Sequence, residues 1–224
     1  LLAVTDDAQV AALPDAIPGP LDAVVNNAGI AVSGPLEALS PAELRHQFEV
    51  NVVGQLAVTA AVLPLLRESR GRILFISSVN GRISLPLLGA YSASKFALEA
   101  AADALRVELR PWGIRVSVIQ PAQTDTDLWR KADQSVDEME AAMSARHRAL
   151  YAKHLAGMRK SIPISRRLAV HPDKVAAMVE KALTAASPRP RYPVGVGPAL
   201  QMALLPKVPT RLRDSLLSRM FGQR

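Results

Sequence analysis

Short apolar segments of β type alternate with longer helical patterns along the chain, and this alternation constrains the fold more than any other feature. The segments are continuously apolar rather than alternating, as in parallel strands that are buried on both faces. The sequence therefore predicts an α/β fold, a doubly wound parallel sheet covered by helices. The predicted strands are residues 1–4, 22–25, 72–76, 115–119 and 191–196.

Helix signals lie between these strands. A capping box at residues 40–43, with Pro41 at the first helical position, predicts a helix that runs to about residue 66. A second helix is predicted to begin near Ala90 and to end before Pro111, and Pro172 opens another. A polar helix is expected over residues 133–160. Beyond the Pro-rich residues 188–209, leucines and arginines on opposite sides predict a short amphipathic helix.

The composition excludes several classes of protein. Hydrophobic residues make up 49% and charged residues 21% of the 224 residues, which is typical of globular chains. The chain has no cysteine, which excludes disulfides, thiolate metal sites and a cysteine nucleophile. The longest apolar stretch, residues 56–66, is shorter than the roughly 20 residues of a membrane span. These features predict a cytoplasmic protein.

The net charge of +7 is concentrated near the C-terminus. Residues 188–224 contain seven basic side chains and one acidic one, and the rest of the chain is nearly neutral. Aromatic residues are only 4%, too few for a base-stacking platform, so nucleic acid is not an expected partner. Two readings of the basic C-terminal helix stay open: peripheral contact with an anionic membrane, or packing against a neighbouring subunit.

Tyr91 and Lys95 are four residues apart at the start of a predicted helix, so they share one helix face. An adjacent ammonium group favours the phenolate and lowers the pKa of a tyrosine. This pair therefore predicts a general acid or base. An isolated pair at this spacing is also common by chance on a helix surface.

Other polar residues are predicted to meet this pair. Ser78 follows one strand, and an Asn-Asn-Ala-Gly segment at residues 26–29 follows another. The carboxyl ends of strands in open α/β sheets form ligand-binding crevices. Asn51 lies among valines in the capped helix, where a satisfied core asparagine is an equally good explanation.

Taken together, these motifs resemble the short-chain dehydrogenase/reductase family. The resemblance extends from about residue 1 to residue 195. It implies a Rossmann-like sheet and an NAD- or NADP-dependent oxidoreductase. The sequence around Tyr91 is similar to the branch that acts on lipophilic alcohols and ketones, including steroid- and retinol-type enzymes. The motifs are Asn26–Gly29, Asn51, Ser78, Tyr91 to Lys95, and Pro121 with Thr124 and Thr126.

The resemblance also implies roles for individual residues. Tyr91 exchanges a proton with the substrate oxygen, and Ser78 holds that oxygen by a hydrogen bond. Lys95 lowers the pKa of Tyr91 and binds the nicotinamide ribose, and Asn51 anchors a water that relays protons. The implied cofactor contacts are Asn27, Ala28, Gly29, Tyr91, Lys95, Pro121, Thr124 and Thr126. A homo-oligomer is also expected.

The chain departs from the family pattern at its start. The Gly-rich turn of the first β-α-β unit does not occur in the 224 residues, and Ala3 and Ala122 replace the usual Asp and Gly. The missing strand belongs between residues 1–4 and 22–25, so two unpaired strand edges are expected. We therefore expect either residues upstream of Leu1 or weak dinucleotide binding. A catalytically silent relative that acts as an interaction protein, or a gene fragment, is the alternative.

The expected organisation is an incomplete Rossmann-like domain over residues 1–196 and a basic amphipathic extension over residues 197–224. Residues 127–168 correspond to the family's substrate lid, to which Trp129, Met139 and Met143 belong, although ordinary helix packing explains these side chains as well. His147 and His154 lie seven residues apart with no third ligand at a suitable spacing, so no metal site is predicted.

Overall fold

A four-stranded parallel sheet forms the centre of the protein in the computed structural model, which describes residues 2–125, 132–195, 197, 204 and 207–221. The strand order is β1-β2-β3-β4, so each strand follows its neighbour in the chain. Among these described residues, β1 (Ala23–Asn26) pairs with β2 (Arg72–Ile76) alone and lies at one edge of the sheet. The strands are β1 (Ala23–Asn26), β2 (Arg72–Ile76), β3 (Arg115–Pro121) and β4 (Arg191–Val194).

Helices cover both faces of this sheet, which explains why the strands are continuously apolar. In β2, Ile73 and Phe75 pack against helices on one face, and Leu74 packs against a helix on the other. All three side chains are 0–1% exposed. The doubly wound α/β architecture that the sequence predicts is therefore confirmed.

The longer connections are helical. α3 and α4 contribute to the core on one face of the sheet, and α7 contributes to the core on the other. The helices of the described residues are α1 (Asp7–Ala11), α2 (Pro41–Phe48), α3 (Gly54–Ser69), α4 (Gly89–Glu108), α5 (Ala132–Ala142), α6 (Ala145–Arg167), α7 (Pro172–Thr184) and α8 (Thr210–Met220).

The capping box that opens α2 is present as predicted. The Ser40 hydroxyl accepts the Glu43 N–H, and the Glu43 carboxylate accepts the Ser40 N–H at 2.7 Å. A π-helical turn, Glu49–Val53, joins α2 to α3 without a break. Among the described residues, this continuous helix, Pro41–Ser69, is long and apolar enough to cross a membrane by length and composition. Here it packs against β1 and α4.

Two predicted elements are wrong. Residues 2–4 form no strand, because the Ala3 N–H donates to the side chain of Gln9, and Asp6 caps α1. The helix expected over residues 133–160 is two helices, because Ser144 caps a new helix after α5 ends at Ala142. Residue 1 and residue 196, which belonged to two predicted strands, lie outside the described residues.

Candidate active site

A cavity of about 260 Å³ opens at the carboxyl ends of β1, β2 and β3. Residues that follow each of these strands line it, and the start of α4 closes one side. Ser135 of α5 and Met158 of α6 complete the wall. The remaining lining includes apolar side chains of Ile30, Ile76, Val79, Leu85 and Leu88, so the cavity suits a ligand with an apolar body.

Ser78 is held rigidly at the end of β2. It is the N-cap of a short helical turn, Val79–Gly81, and its hydroxyl oxygen accepts the Asn80 N–H at 3.1 Å. Ser78 is 9% exposed and lines the cavity. The Tyr91 phenol of α4 lines the same cavity, and the Ser78 hydroxyl lies close enough to it to favour the phenolate. The structure therefore brings Ser78 and Tyr91 together across 13 residues of chain.

Burial raises the pKa of the Tyr91 phenol above its usual value of 10.0, and the nearby Ser78 hydroxyl acts in the opposite direction. The Lys95 ammonium lies 5.8 Å from the centre of the Tyr91 ring. The prediction that Lys95 makes this phenol unusually acidic is therefore wrong for this structure, because loss of water outweighs the other effects. At neutral pH the phenol carries its proton.

Lys95 is nearly buried, at 5% exposure, and lines the cavity. Its ammonium donates to the carbonyl oxygen of Ile76 at 2.8 Å. Burial lowers the pKa of Lys95 from 10.5 to about 8, and the negative charge of Glu99, one turn further along α4, partly offsets that effect. Lys95 is therefore charged at neutral pH and loses its proton in a mildly basic solution.

A ladder of buried polar side chains fixes the loop that follows β1. The side chains recur every fourth residue along α2 and α3, and each bonds to every second residue of the extended loop. Four residues of helix rise about 6 Å and two extended residues rise about 6.6 Å, so the two spacings match. The bonded pairs are Thr59 with Asn26, Gln55 with Ala28, Asn51 with Ile30, and Gln47 with Val32.

The same ladder reaches the helix that carries Tyr91. Asn51 and Gln47 donate to the hydroxyl oxygen of Ser94 at 3.1 and 3.3 Å. The Ser94 hydroxyl donates in turn to the carbonyl oxygen of Tyr91 at 2.7 Å. Asn51 is completely buried and satisfied, so it positions the loop and α4 relative to each other. A Cβ on Gly29 would stand 3.5 Å from Asn51 Oδ1 and 3.7 Å from Lys95 Nζ.

A partly buried ionic cluster adjoins Lys95 around the buried Glu99. Glu99 accepts hydrogen bonds from Gln120 of β3 at 2.8 Å and from Arg191 of β4 at 2.9 Å. Arg191 also bonds to Asp103 at 2.7 Å. These contacts join α4 to two strands of the sheet, which holds Tyr91 and Lys95 at a fixed height above it.

A family profile described as short chain dehydrogenase matches residues 2–137. The matched region contains β1, β2, β3, the polar ladder and the Ser78, Tyr91 and Lys95 side chains. The chain belongs to this family.

Curated members of the short chain dehydrogenase family are similar to the chain over part of their length. The 3-amino-tetrahydro-pyrrolizinone reductase of Xenorhabdus hominickii is 48% identical over 127 residues, 53% of this chain and 44% of the relative. Retinol dehydrogenase 16 of Mus musculus is 37% identical over 87% of this chain and 62% of its own length. The NADPH-dependent 3-dehydrocapnine reductase of Ornithobacterium rhinotracheale is 33% identical over 88% of this chain and 69% of its own length. The chain thus spans about half to two thirds of these relatives.

Solved dehydrogenase structures share the fold. One from Streptomyces avermitilis has a TM-score of 0.74 at 27% identity, and the match covers 97% of this chain and 78% of that one. One from Burkholderia phymatum in complex with NAD has a TM-score of 0.72 at 26% identity, and covers 92% and 73%. The Rossmann-like architecture is therefore that of the dehydrogenase family.

The residues at the cavity fit a dinucleotide ribose. Lys95 donates one hydrogen bond to the described protein, to Ile76, and an ammonium carries three protons. Gly29 leaves the adjoining wall without a side chain. An ammonium with further protons to donate, beside a bare stretch of backbone, suits ribose hydroxyls.

The predicted contact residues fall into three groups. Six line the cavity: Asn27, Gly29, Tyr91, Lys95, Pro121 and Thr124. Ala28 lies beside it, and its carbonyl oxygen accepts from Gln55. Thr126, and Trp129 of the expected lid, lie outside the described residues.

The lid region packs as a small core of its own. Met139 and Met143 are 8% and 7% exposed and contact Leu87, Leu155 and Ile162. The packing interpretation of the two methionines is therefore confirmed. Within the described ranges, no group of three or more His, Asp or Glu side chains could hold a metal ion.

Sequence reasoning missed most of the polar ladder and the ionic cluster. The signal for the ladder was present, since Gln47, Asn51, Gln55 and Thr59 recur at a spacing of four in an otherwise apolar helix. The Glu99 cluster carried no such signal, because its partners come from strands about 20 and 90 residues away in the sequence.

Proposed function

We propose that this chain performs the proton-transfer chemistry of an NAD- or NADP-dependent oxidoreductase that interconverts a lipophilic ketone and a secondary alcohol. The observation that carries the proposal is that Ser78, Tyr91 and Lys95 line one cavity, with the Ser78 hydroxyl close enough to the Tyr91 phenol to influence its pKa. The named activities and bound NAD of the relatives support the cofactor class. Because the chain spans only part of several relatives, the activity is proposed for the whole protein.

The cofactor, when bound, supplies the hydride that reaches the carbonyl carbon. Ser78 and Tyr91 hold the carbonyl oxygen by two hydrogen bonds, which polarises the carbon. As the carbon accepts the hydride, the Tyr91 phenol gives its proton to the oxygen and yields the alcohol. Oxidation is the reverse, with the alcohol proton returning to Tyr91. The Tyr91 phenol is protonated near neutral pH, which is the form that the reductive direction requires.

The Lys95 charge would offset part of the cost of the buried phenolate that remains after the proton transfer, although burial dominates the pKa of Tyr91. A cation about 6 Å from the ring lowers the free energy of the negative oxygen in a site with little water. Lys95 together with Asn27, Gly29, Pro121 and Thr124 would hold the nicotinamide ribose and its surroundings. Asn51 acts at a distance through Ile30 and Ser94, and the relay of protons through a water at Asn51 stays a prediction.

The substrate class follows from the cavity wall. Ile30, Val79, Leu85, Leu88 and Met158 surround the two hydroxyl groups, so an apolar carbon skeleton loses contact with water on entry. This supports a lipophilic alcohol or carbonyl compound. It leaves the choice between NAD and NADP open.

Replacement of Tyr91 by Phe tests the proposal. The phenol oxygen is removed and the ring stays, so the fold should be kept while reduction of ketones by NADH or NADPH falls about a hundredfold or more. Tyr151→Phe is the matched control, since Tyr151 lies on α6 and is not among the residues that line the cavity. An unchanged rate in Tyr91→Phe would favour the silent interaction protein instead.

A homo-oligomer and a cytoplasmic location also stay predictions. Exposed apolar side chains on and near α4 supply a candidate surface between subunits, since Phe96, Val107 and Val53 are 44%, 74% and 48% exposed. Light scattering after size-exclusion chromatography measures the oligomeric state, and Val107→Lys should lower it. Contact of α8 with a membrane or with a neighbouring subunit also stays a prediction.

A further inference from the structure

The outer face of α6 carries four basic side chains in one row. Arg146, Lys153, Lys160 and Arg167, called here the basic row, recur every seven residues and are all exposed. Seven residues are almost two helical turns, so the four side chains follow one line about 31 Å long. α6 contains no acidic residue.

The other arginines of α6 show how unusual this row is. Arg159 bonds to Asp137 at 2.5 Å and to Glu140 at 2.8 Å, and Arg166 bonds to Asp133 at 2.8 Å. The acidic side chains of α5 thus neutralise the arginines on that side of α6. The basic row has no ion-pair partner within the described part of the chain.

Apolar side chains are exposed within the same row. Leu150 follows Arg146 by four residues and precedes Lys153 by three, and it is 58% exposed. Ile164 has the same spacing to Lys160 and Arg167 and is 62% exposed. Leu168, next to Arg167, is 68% exposed. Aliphatic side chains that alternate with cations on one helix face are the pattern of helices that lie in the plane of an anionic membrane surface.

The end of α8 covers the middle of this face of α6. Gly157 lies between Lys153 and Lys160 at the same spacing, and a Cβ there would stand 2.1 Å from the carbonyl oxygen of Phe221. The end of α8 is therefore seated against α6 at the middle of the row. α8 adds exposed Leu212 and Leu216, at 55% and 42%, together with exposed Arg211 and Arg219.

We propose that the outer face of α6, with the adjoining α8, binds the surface of an anionic phospholipid bilayer. Cations contact the lipid headgroups, and Leu150, Ile164 and Leu168 enter the boundary between headgroups and acyl chains. A polyanion without apolar groups, such as a nucleic acid, would satisfy the charges and leave the three aliphatic side chains in water. The binding does not depend on catalysis.

Met158 on the inner face of α6 lines the cavity, so the bilayer lies about one helix diameter, roughly 10 Å, from it. Access of a membrane-dissolved substrate is a consequence that rests on the proposed function. The binding itself can be tested without it.

Co-sedimentation with vesicles tests the binding. The protein should sediment with vesicles of equal parts phosphatidylserine and phosphatidylcholine, and not with pure phosphatidylcholine. Each cation near the surface contributes roughly fivefold to partitioning, so replacing all four of the basic row by Gln should lower it several hundredfold. The control replaces Arg45, Arg110, Lys174 and Lys181 by Gln, which removes the same charge from other exposed positions.

A second variant distinguishes binding to a bilayer from binding to an acidic macromolecule. Replacement of Leu150, Ile164 and Leu168 by Gln keeps every charge and should weaken vesicle binding at least tenfold, while binding to heparin is unchanged. The proposal is overturned if the wild-type protein does not bind anionic vesicles. It is also overturned if the control variant loses as much binding as the basic-row variant. The third contradicting result is normal vesicle binding by the Gln variant of the three apolar residues. Circular dichroism melting confirms that each variant is folded.

Discussion

Asn51 and Ile30 share two hydrogen bonds: the Ile30 N–H donates to Asn51 Oδ1 at 2.8 Å, and Asn51 Nδ2 donates to the Ile30 carbonyl oxygen at 3.0 Å. The Asn51 side-chain amide thus satisfies both backbone groups of Ile30, as the backbone of a neighbouring strand would do. Ile30 lines the cavity, so this pairing fixes part of its wall.

Asn51→Ala should therefore destabilise the protein. The Ile30 N–H loses its partner inside the protein, and an unsatisfied buried group costs about 1–3 kcal/mol. We expect the free energy of unfolding in urea to fall by about 2 kcal/mol. Gln134→Ala, which removes an exposed amide from α5, is the control and should change it by less than about 0.5 kcal/mol. Equal losses in the two variants would contradict the role of the ladder.

Lys95→Met should change how stability depends on pH. The folded pKa of Lys95 is about 8 and its ordinary value is 10.5, so between these pH values the unfolded chain binds more protons. The cost of the buried charge is complete below pH 8 and disappears as the pH rises towards 10.5. The free energy of unfolding of the Met variant should exceed that of the wild type by on the order of 3 kcal/mol below pH 8, before the lost bond to Ile76 is counted. This difference should shrink as the pH rises from 8 towards 10.5.

Urea titrations from neutral pH to pH 10 measure that difference directly. Lys153→Met, at an exposed position of α6, is the matched control and should show no such window. A difference between wild type and Lys95→Met that does not change with pH would mean that Lys95 is well hydrated.

Glu99→Gln should move the pH profile of catalysis. The negative charge of Glu99 raises the pKa of Lys95, so its removal lowers the pH at which Lys95 loses its proton. Ketone reduction by the wild type should decline above about pH 8, and in the variant the decline should begin at a lower pH. Glu108→Gln, on the exposed surface of α4, should leave the profile in place. A common profile for all three proteins would show that Glu99 acts only through packing.

Gly157→Ala should detach the end of α8. The new Cβ meets the Phe221 backbone at 2.1 to 2.9 Å, and backbone cannot move aside as a side chain does. We expect faster cleavage by trypsin in α8, at Arg211, Arg213 or Arg219, while the rest of the chain resists. Gly197→Ala, where the added carbon meets nothing within 4 Å, is the control. Unchanged cleavage in Gly157→Ala would place α8 elsewhere.

Much of the fold could be predicted from the sequence because its signals are local. The continuous apolar character of β2 and the capping box at Ser40 each depend on a few adjacent residues, and both predictions are confirmed. The strand expected at residues 1–4 has the same apolar character but is wrong, since a strand also needs a neighbour to accept its hydrogen bonds.

The residues that meet at the site could be predicted from the sequence, but the pKa of Tyr91 could not. Ser78 and Tyr91 meet because strand ends converge at one edge of a parallel sheet, and the sequence shows where those ends are. The pKa of Tyr91 depends on burial by residues from several elements and on the direction in which Lys95 points. Neither is visible in a spacing of four residues.

The most direct test of the proton-transfer site is a double-mutant cycle on Ser78 and Tyr91. Steady-state kcat/KM for ketone reduction is measured for the wild type, Ser78→Ala, Tyr91→Phe and the double variant. If the two hydroxyls act on one oxygen, each single variant should lose about a hundredfold or more, and the double variant should lose little beyond the worse single one. Losses that multiply, or single variants that retain full activity, would contradict the account.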